Sequence, residues 1–556
     1  MAGEYPYRDF FYIFPPFFLY PVAFIISFFG RSVNALIGAR VMIFLAFCGL
    51  GIMTFLITRK LRNTLTAIIA VIVLSILPIP ADKMLEIRPD NIAIFLSLAG
   101  LYAFILAHEK KSQFIFFLAG LFYSLSLGFV PKTVFFLIPP VLILIFDFIS
   151  SFPLSVIARE RSNRGDPGIN SGLLRLPTLR RDPRNDMSLI KELKYHFLPF
   201  ITGIFLPLLV VVFLFIYYQK PILALQSTTT ITASITKLLG TKFYMRPDIF
   251  FYPNDTYYGL PGYSGPYLLN LLFYFSASVY AIFFILSTLS HKDHEKCVRE
   301  FIVGVSFFLN LYAFVYIFPL KHAQYLIPIS PFISIFFAIL LEKIMRHRLI
   351  NQHQTAIIIV VMAFFSFIAK DMYKAKARWT NQATLGNISN ILTAIPKEEK
   401  VFDLTGETIF FRDGYYFCCL PYGQYDEGIP FQLPSLEKSL RDNNVHFTHV
   451  GEENRLGILP AYHQSIVETY YIKDKFGMML AGKKINFEQG NISKTFELIT
   501  KGNYSIFWNG TLRVDGSEAV VKLDDKEVRS ENLYLSSGKH KIITSQKGEL
   551  ILKYLK

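Results

Sequence analysis

The sequence predicts a polytopic α-helical membrane protein of about ten spans, followed by a C-terminal extracytoplasmic α/β plus β-sandwich domain. Three observations lead there. The 556 residues are 53% hydrophobic and 16% aromatic, with 56 Phe, and the mean hydropathy is +0.39; a soluble core of this size does not need so much apolar surface. Several apolar runs reach about 18 residues or more, the length a helix needs to cross a hydrocarbon core. After Ala369 those runs stop, and the last part of the chain alternates apolar and polar residues between Gly, Asn and Asp turns.

The chain opens on "GEYPYRDFFYIFPPFFLYP", Gly3 to Pro21. This stretch is aromatic, carries the Arg8-Asp9 pair and is broken by Pro15-Pro16, so it is neither a signal peptide nor a clean span. Residues 1–34 are expected to form an outer juxtamembrane loop. The membrane domain follows over 35–371, with spans at about 35–58, 63–80, 91–107, 112–129, 132–149, 197–218, 266–290, 301–318, 323–344 and 354–370. A cytoplasmic insertion over 150–196 interrupts it, rich in Gly, Pro, Asn and Arg between 160 and 186. Residues 372–490 mix strand-like and helix-like segments and are expected as an extracytoplasmic α/β domain. Residues 491–556 are expected as a small β-sandwich.

Charge sets the orientation. The formal net charge is +15, and its Lys and Arg lie between the apolar runs, which is the pattern of cytoplasmic loops rather than of a nucleic-acid binder. Arg59, Lys60 and Arg62, then Lys110 and Lys111, the 150–196 insertion, Lys292 to Arg299, and Lys343 to Arg348 fall in alternate loops. The other set, 81–90, the Pro131-Lys132 turn, 219–265 and Pro319 to His322, is therefore expected outside, with both termini. The chain reads as integral to the cytoplasmic (inner) membrane, with the C-terminal domain periplasmic or extracellular. Cys48, Cys297 and the adjacent Cys418 and Cys419 read as free thiols, with no disulfide framework and no metal-ligand spacing.

Candidate chemistry gathers on the outer side: Tyr7-Arg8-Asp9, "EIRPDN" from Glu86 to Asn91, "FVPKT" around Lys132, "RPD" from Arg246 to Asp248, and "LKHAQYLIP" containing His322 and Tyr325. Charges within a span cost roughly 2.5–3.5 kcal/mol each and mark function, whereas those at span ends snorkel cheaply. Structural roles stand beside functional ones. Asp90 or Asn91 can cap the following helix. Arg88 and Lys132 can snorkel, His322 and Tyr325 can anchor a helix end, and Asp9 can simply pair with Arg8.

With "GEYPYRDFFYIFPP", "RPDNIAIFLSLAGLYAF", Lys132 after a Gly-containing span, and "HAQYLIPISPF" in this order and on one side, the chain resembles the GT-C integral-membrane glycosyltransferases. That class includes the protein O-mannosyltransferases and lipid A aminoarabinose transferases. The resemblance covers roughly residues 3–371. It implies transfer of a sugar from a polyprenyl-phosphate donor in the membrane lipid to a hydroxyl on a glycan, lipid or protein acceptor. It places the family's catalytic acid ahead of "PYRDF", so Asp9 is expected to line the acceptor or metal site, or to act as the catalytic carboxylate if no upstream residue exists, with Tyr7, Arg8, Arg88, Asp90, Lys132, His322 and Tyr325 as substrate- and phosphate-binding residues. It assigns no metal ligand, and a divalent cation stays open because some relatives use one and others do not. It also implies a helix and an early acidic residue ahead of "PYRDF", so the chain as it stands is expected to begin inside the first outer loop. Two other classes stay in view. One is a transporter or flippase, disfavoured by the lack of an internal repeat and of midplane charge. The other is a non-catalytic membrane protein whose outer domain binds glycan or a partner.

Overall fold

The structure is a computed structural model and describes residues 4–150, 193–234, 237, 271–288, 290, 293–318, 323–347, 353–377, 380–416, 435–451, 455–489, 492–512, 521–528 and 532–555. The insertion from 151 to 192, Arg246, Asp248, Lys321, His322 and the Cys418-Cys419 pair lie outside the described residues. Cys48 and Cys297 are free thiols.

The helical part comprises α1 (Leu19–Phe29), α2 (Val33–Leu61), α3 (Thr64–Ile76), α4 (Pro78–Lys83), α5 (Asp90–Lys110), α6 (Gln113–Phe129), α7 (Val134–Ser150), α8 (Leu198–Tyr217), α9 (Ser276–Thr288), α10 (His294–Tyr312), α11 (Ser330–Met345) and α12 (Gln354–Ala377). Among the described residues, five helical stretches are long and apolar enough to cross a membrane: Val33–Leu61, Asp90–Lys110, Pro131–Ile149, Tyr195–Tyr217 and His294–Ile317. The chain is an integral membrane protein. Shorter apolar helices include Thr64–Ile76, Gln113–Phe129, Leu272–Thr288 and Thr355–Lys370. The brevity of α3 has a local cause: Leu77 precedes Pro78 and takes an extended conformation, because a proline disfavours the helical region for its predecessor. The expected opening loop also contains α1, whose Phe24 and Phe28 are largely exposed; Pro16, at the first position of the 3-10 turn Pro16–Phe18, starts a helical run that continues into these eleven uncharged residues.

Close packing of α6 on α8 depends on paired glycines. A Cβ at Gly120 would sit 2.1 Å from the Phe200 carbonyl, and one at Gly203 would sit 2.2 Å from that of Phe117. Ser124 Oγ donates to the Ile204 carbonyl at 2.6 Å across the same interface. Small residues that let two backbones approach, reinforced by a hydroxyl, are how helices adhere where lipid is as apolar as the side chains.

Polar side chains form two bands at opposite ends of the bundle. Asp90 and His108 mark the two ends of α5; 18 residues at 1.5 Å each separate them by about 27 Å, close to the thickness of a hydrocarbon core. One band contains Arg88, Asp90 and Lys132. The other contains Lys60–Glu109–Arg299, Arg62–Glu300 at 3.0 Å, and Glu342, which accepts from Asn63 and Thr66 at 2.7 Å each. Glu300 and Glu342 are buried, and each is matched by donors from a neighbouring helix, as a charge in a low-dielectric site requires.

The C-terminal part holds strands β1 (Lys400–Asp403), β2 (Arg412–Asp413), β3 (Phe447–His449), β4 (Tyr471–Lys473), β5 (Met478–Phe487), β6 (Ile492–Leu498), β7 (Gly502–Trp508), β8 (Thr511–Leu512), β9 (Val521–Leu523), β10 (Lys526–Glu527), β11 (Asn532–Leu535), β12 (Gly538–Thr544) and β13 (Gly548–Tyr554). One sheet runs β11-β7-β13-β5-β3-β1-β2, with β4 on β5 and β8 on β7; a second runs β10-β9-β12-β6. The parallel β2-β1-β3 portion, with helices Gln382–Ala394, Leu436–Asp442 and Ala461–Tyr470, is α/β. The antiparallel remainder has the period-two burial expected of a sandwich, as in the Val521–Leu523 strand. The expected boundary at 490/491 falls between β5 and β6, yet β5 belongs to both units: Met478 to Ala481 pair with β3 and β4, and Gly482 to Phe487 pair with β13. The two units therefore share one sheet.

This domain lies at the Lys132 end of the bundle. Tyr416 Oη donates to the Tyr7 carbonyl at 2.8 Å, Phe11 N–H donates to the Tyr416 carbonyl at 2.8 Å, and Arg31 donates to the Lys397 carbonyl at 2.7 Å. Phe17, on the same N-terminal segment, packs against Phe129 with ring centres 6.2 Å apart, three residues before Lys132.

Candidate functional site

Three separated stretches converge at the domain-bearing end. The Pro78 and Pro80 kink turns the chain into α4, and the loop after it carries Glu86 and Arg88 to the start of α5. Asp90 is the first residue of that helix, where an anion is favoured by the helix dipole. The α6–α7 connection is a single 3-10 turn, Pro131–Thr133, so Lys132 has no freedom to leave the bundle edge. A second 3-10 turn, Ala323–Leu326, presents Tyr325.

Asp90 is the hub. Its Oδ2 takes Arg88 Nε at 3.2 Å, and its Oδ1 takes Lys132 Nζ. Side-chain exposure is 4% for Asp90 and 9% for Lys132, so this pair is largely withdrawn from water. Arg88 also reaches Glu86 at 3.5 Å, and Glu86 meets Lys83 at 3.0 Å. The ammonium of Lys132 lies over the Tyr325 ring, 4.4 Å from its centre, a cation–π arrangement that gains strength when desolvated. Burial alone would ease the proton off Arg88, but Asp90 and Glu86 more than offset it, so its pKa stays raised and the guanidinium stays charged.

This geometry decides between the capping and clustering roles of Asp90 and Asn91. No side chain caps α5; Asp90 spends its oxygens on two cations, and Asn91 donates to the Lys83 carbonyl at 2.9 Å. Two cations share one carboxylate. Lys132 has three N–H donors and Arg88 five, so both keep donors beyond those Asp90 uses, which suits them to an anion such as a phosphate at the membrane edge.

Tyr7, Arg8 and Asp9 form a second group. Tyr7 sits at φ 65°, a left-handed conformation costing a non-glycine residue about 1–2 kcal/mol. Burial of its ring among Phe215, Tyr218 and Ala224, and a 2.6 Å bond from its hydroxyl to the Phe14 carbonyl, hold it there. Arg8 grips Asp9 with two bonds of 2.9 and 2.6 Å, Tyr5 N–H donates to Asp9 at 2.7 Å, and the guanidinium covers the Tyr5 ring at 4.4 Å. The Arg8 hydrogen bond holds the Asp9 carboxyl below its usual value. Among the described residues no ion pair or hydrogen bond joins this group to the Arg88–Asp90–Lys132 cluster. His322 lies outside the described residues, so the eighth expected residue has no place here.

Sequence reasoning underused Glu86, which completes the network on Arg88; its signal was its position in "EIRPDN". It missed Glu300 and Glu342 at the opposite end, although each is an acid beside an otherwise apolar run.

No protein-family model and no curated protein matches the chain. Among solved structures, the chain is similar to the archaeal oligosaccharyltransferase AglB from Archaeoglobus fulgidus in complex with an inhibitory peptide and a dolichol-phosphate, at 12% identity and TM-score 0.45, covering 84% of this chain and 65% of that one. The apo form of the A. fulgidus enzyme gives 12% identity and TM-score 0.41, covering 90% and 66%. The form tethered to an acceptor peptide containing the NVT sequon gives 10% identity and TM-score 0.44, covering 86% and 66%. The chain thus spans about two thirds of the length of the solved structures it matches.

Proposed function

We propose that this chain is a membrane glycosyltransferase that moves a sugar from a polyprenyl-phosphate donor to a hydroxyl acceptor at the outer membrane surface. In this reading the chain passes the bilayer about ten times, and the domain-bearing end faces outside. The convergence of Arg88, Asp90, Lys132 and Tyr325 at that end carries the proposal. A donor whose isoprenoid stays in oil must present its phosphate there, and two partly desolvated cations are suited to receive it.

The reaction is a displacement at the anomeric carbon. The bond from that carbon to the phosphate oxygen breaks, the acceptor oxygen forms the new bond, and a carboxylate takes the acceptor's proton. Arg88 and Lys132 stabilise the charge left on the phosphate; Asp90 holds both in place. Asp9 is the proposed proton acceptor. Its pairing with Arg8 leaves it weakly basic, so the substrate must draw Arg8 away before the carboxylate can act.

The test is sugar transfer from a polyprenyl-phosphate donor by the purified full chain in lipid. Lys132→Ala is expected to lower turnover by about 100-fold, the usual loss for one preorganised charge-stabilising donor, and Asp9→Asn to lower it at saturating donor. Unchanged turnover in both variants overturns the assignment.

A further inference from the structure

At the end of the bundle opposite the donor cluster, three side chains from three helices point at one another. His108 lies two residues before the end of α5, Asp147 lies near the end of α7, and His294 opens α10. His108 Nε2 is 3.1 Å from Asp147 Oδ2, and His294 Nε2 is 3.7 Å from Asp147 Oδ1. The imidazole rings are 5.6 Å apart, and the three ligand atoms all lie within 4.8 Å of one another. Asp293 caps α10 by accepting from the N–H groups of Glu295 and Lys296, which fixes the backbone that carries His294.

The 3.1 Å contact is a hydrogen bond, whereas 3.7 Å is too long for one. Both separations suit neighbouring ligands of a single ion. With metal–nitrogen and metal–oxygen distances of about 2.0–2.2 Å and tetrahedral angles, adjacent ligand atoms stand about 3.4 Å apart; the two contacts, which end on different Asp147 oxygens, bracket that value, and the 4.8 Å outer limit of the set leaves a small side-chain rotation to close. Two imidazoles and one carboxylate are a ligand set for Zn²⁺ or a similar first-row divalent ion, not for Mg²⁺ or Ca²⁺, which take oxygen ligands. His294 is exposed at 61% of its side chain, so it can close the remaining gap and leaves a path from water to the site.

We propose that His108, Asp147 and His294 form a divalent-metal site of the Zn²⁺ class that clamps α5, α7 and α10 together on the membrane face opposite the donor cluster. The clamp has a structural consequence. α5 begins with Asp90, and α7 follows directly on Lys132, so an ion fixing one end of these two helices fixes the spacing of the ion pair at the other. The site does not depend on the transferase reading, and its test does not use turnover.

The full chain, purified through a tag without histidine, is stripped with a chelator and titrated with Co²⁺, then with Zn²⁺. The expected result is about one equivalent of metal retained through gel filtration, visible d–d absorption from the Co²⁺ form, and a higher midpoint of thermal unfolding. His294→Ala, exposed and safe for folding, and Asp147→Asn are each expected to weaken binding at least about 10-fold and to abolish the Co²⁺ bands. Retention well below one equivalent by the unaltered chain overturns the proposal. So does metal held equally well by His294→Ala, because the ion then sits elsewhere.

Discussion

Replacing Asp90 by Asn tests the packing of the Arg88–Asp90–Lys132 cluster without any substrate. At an effective dielectric constant of about 20, unit charges 3.2 Å apart attract by about 5 kcal/mol, and Asp90 holds two such partners. Much of that attraction is offset by the desolvation of three ions, so the net worth of the intact cluster is small. The neutral amide, however, leaves Lys132 charged and largely buried with no anion. Breaking a buried pair from one side in this way costs about 3–5 kcal/mol. Lys132→Met removes the stranded charge while keeping the apolar stem that covers Tyr325. The double variant Asp90→Asn/Lys132→Met is therefore expected to recover at least about 1.5 kcal/mol relative to the sum of the single variants. The assay is reversible unfolding of the full chain in mixed micelles, followed by helical circular dichroism, for all four members of the cycle. Additivity within about 0.5 kcal/mol would show that the two side chains are not energetically coupled and refute the reasoning.

Two further outcomes rest on other parts of the molecule. Gly120→Ala places a carbon 2.1 Å from the Phe200 carbonyl and must push α6 from α8; a loss of about 1–3 kcal/mol in the same unfolding assay is expected, and a neutral effect would mean the helices do not approach so closely. In the C-terminal domain, burial would raise the pKa of Asp403, but His449, the Thr405 N–H and Thr408 more than offset it and hold it below the usual carboxylate value. A carboxylate depressed on folding contributes stability above its unfolded pKa of about 3.9 and loses it as pH falls through the lower folded value. Asp403→Asn should therefore cost about 3 kcal/mol at neutral pH and progressively less below pH about 4, measured as the pH dependence of the near-ultraviolet unfolding midpoint; a gap between the two proteins that is constant with pH contradicts this.

How much of this was legible in the sequence depends on which coordinate is asked for. Position along the membrane normal was written in the chain. Apolar runs gave the helices, and the short turn around Lys132 and the loop around Arg88 put both at one end of the bundle. Position around the helix axis was not. Asp90 resembled a helix cap because local pattern offers that role to any acid at a helix start; that it pairs with a lysine 42 positions away depends on how α5 packs beside the α6–α7 turn. Tyr325 was legible as an interfacial aromatic but not as the face beneath the Lys132 ammonium. His108, Asp147 and His294 have no spacing that suggests a common site, since each comes from a different helix. The shared sheet was hidden for a related reason: ten residues of β5 read as one strand, with nothing local to say that its two halves face different partners. The Arg8-Asp9 pair was legible, and the structure gives it the more self-contained of its two expected arrangements.

The central claim is that Arg88 and Lys132 receive a lipid-borne phosphate, and the most direct measurement is binding of polyprenyl phosphate itself, without sugar or acceptor, to the full chain by native mass spectrometry from lipid nanodiscs. The account predicts a one-to-one complex that Lys132→Ala weakens by about 10-fold or more, the worth of one charge-assisted contact, while the uncharged polyprenol does not bind measurably in either protein. Equal binding of phosphate and alcohol, or equal retention by the alanine variant, would contradict it.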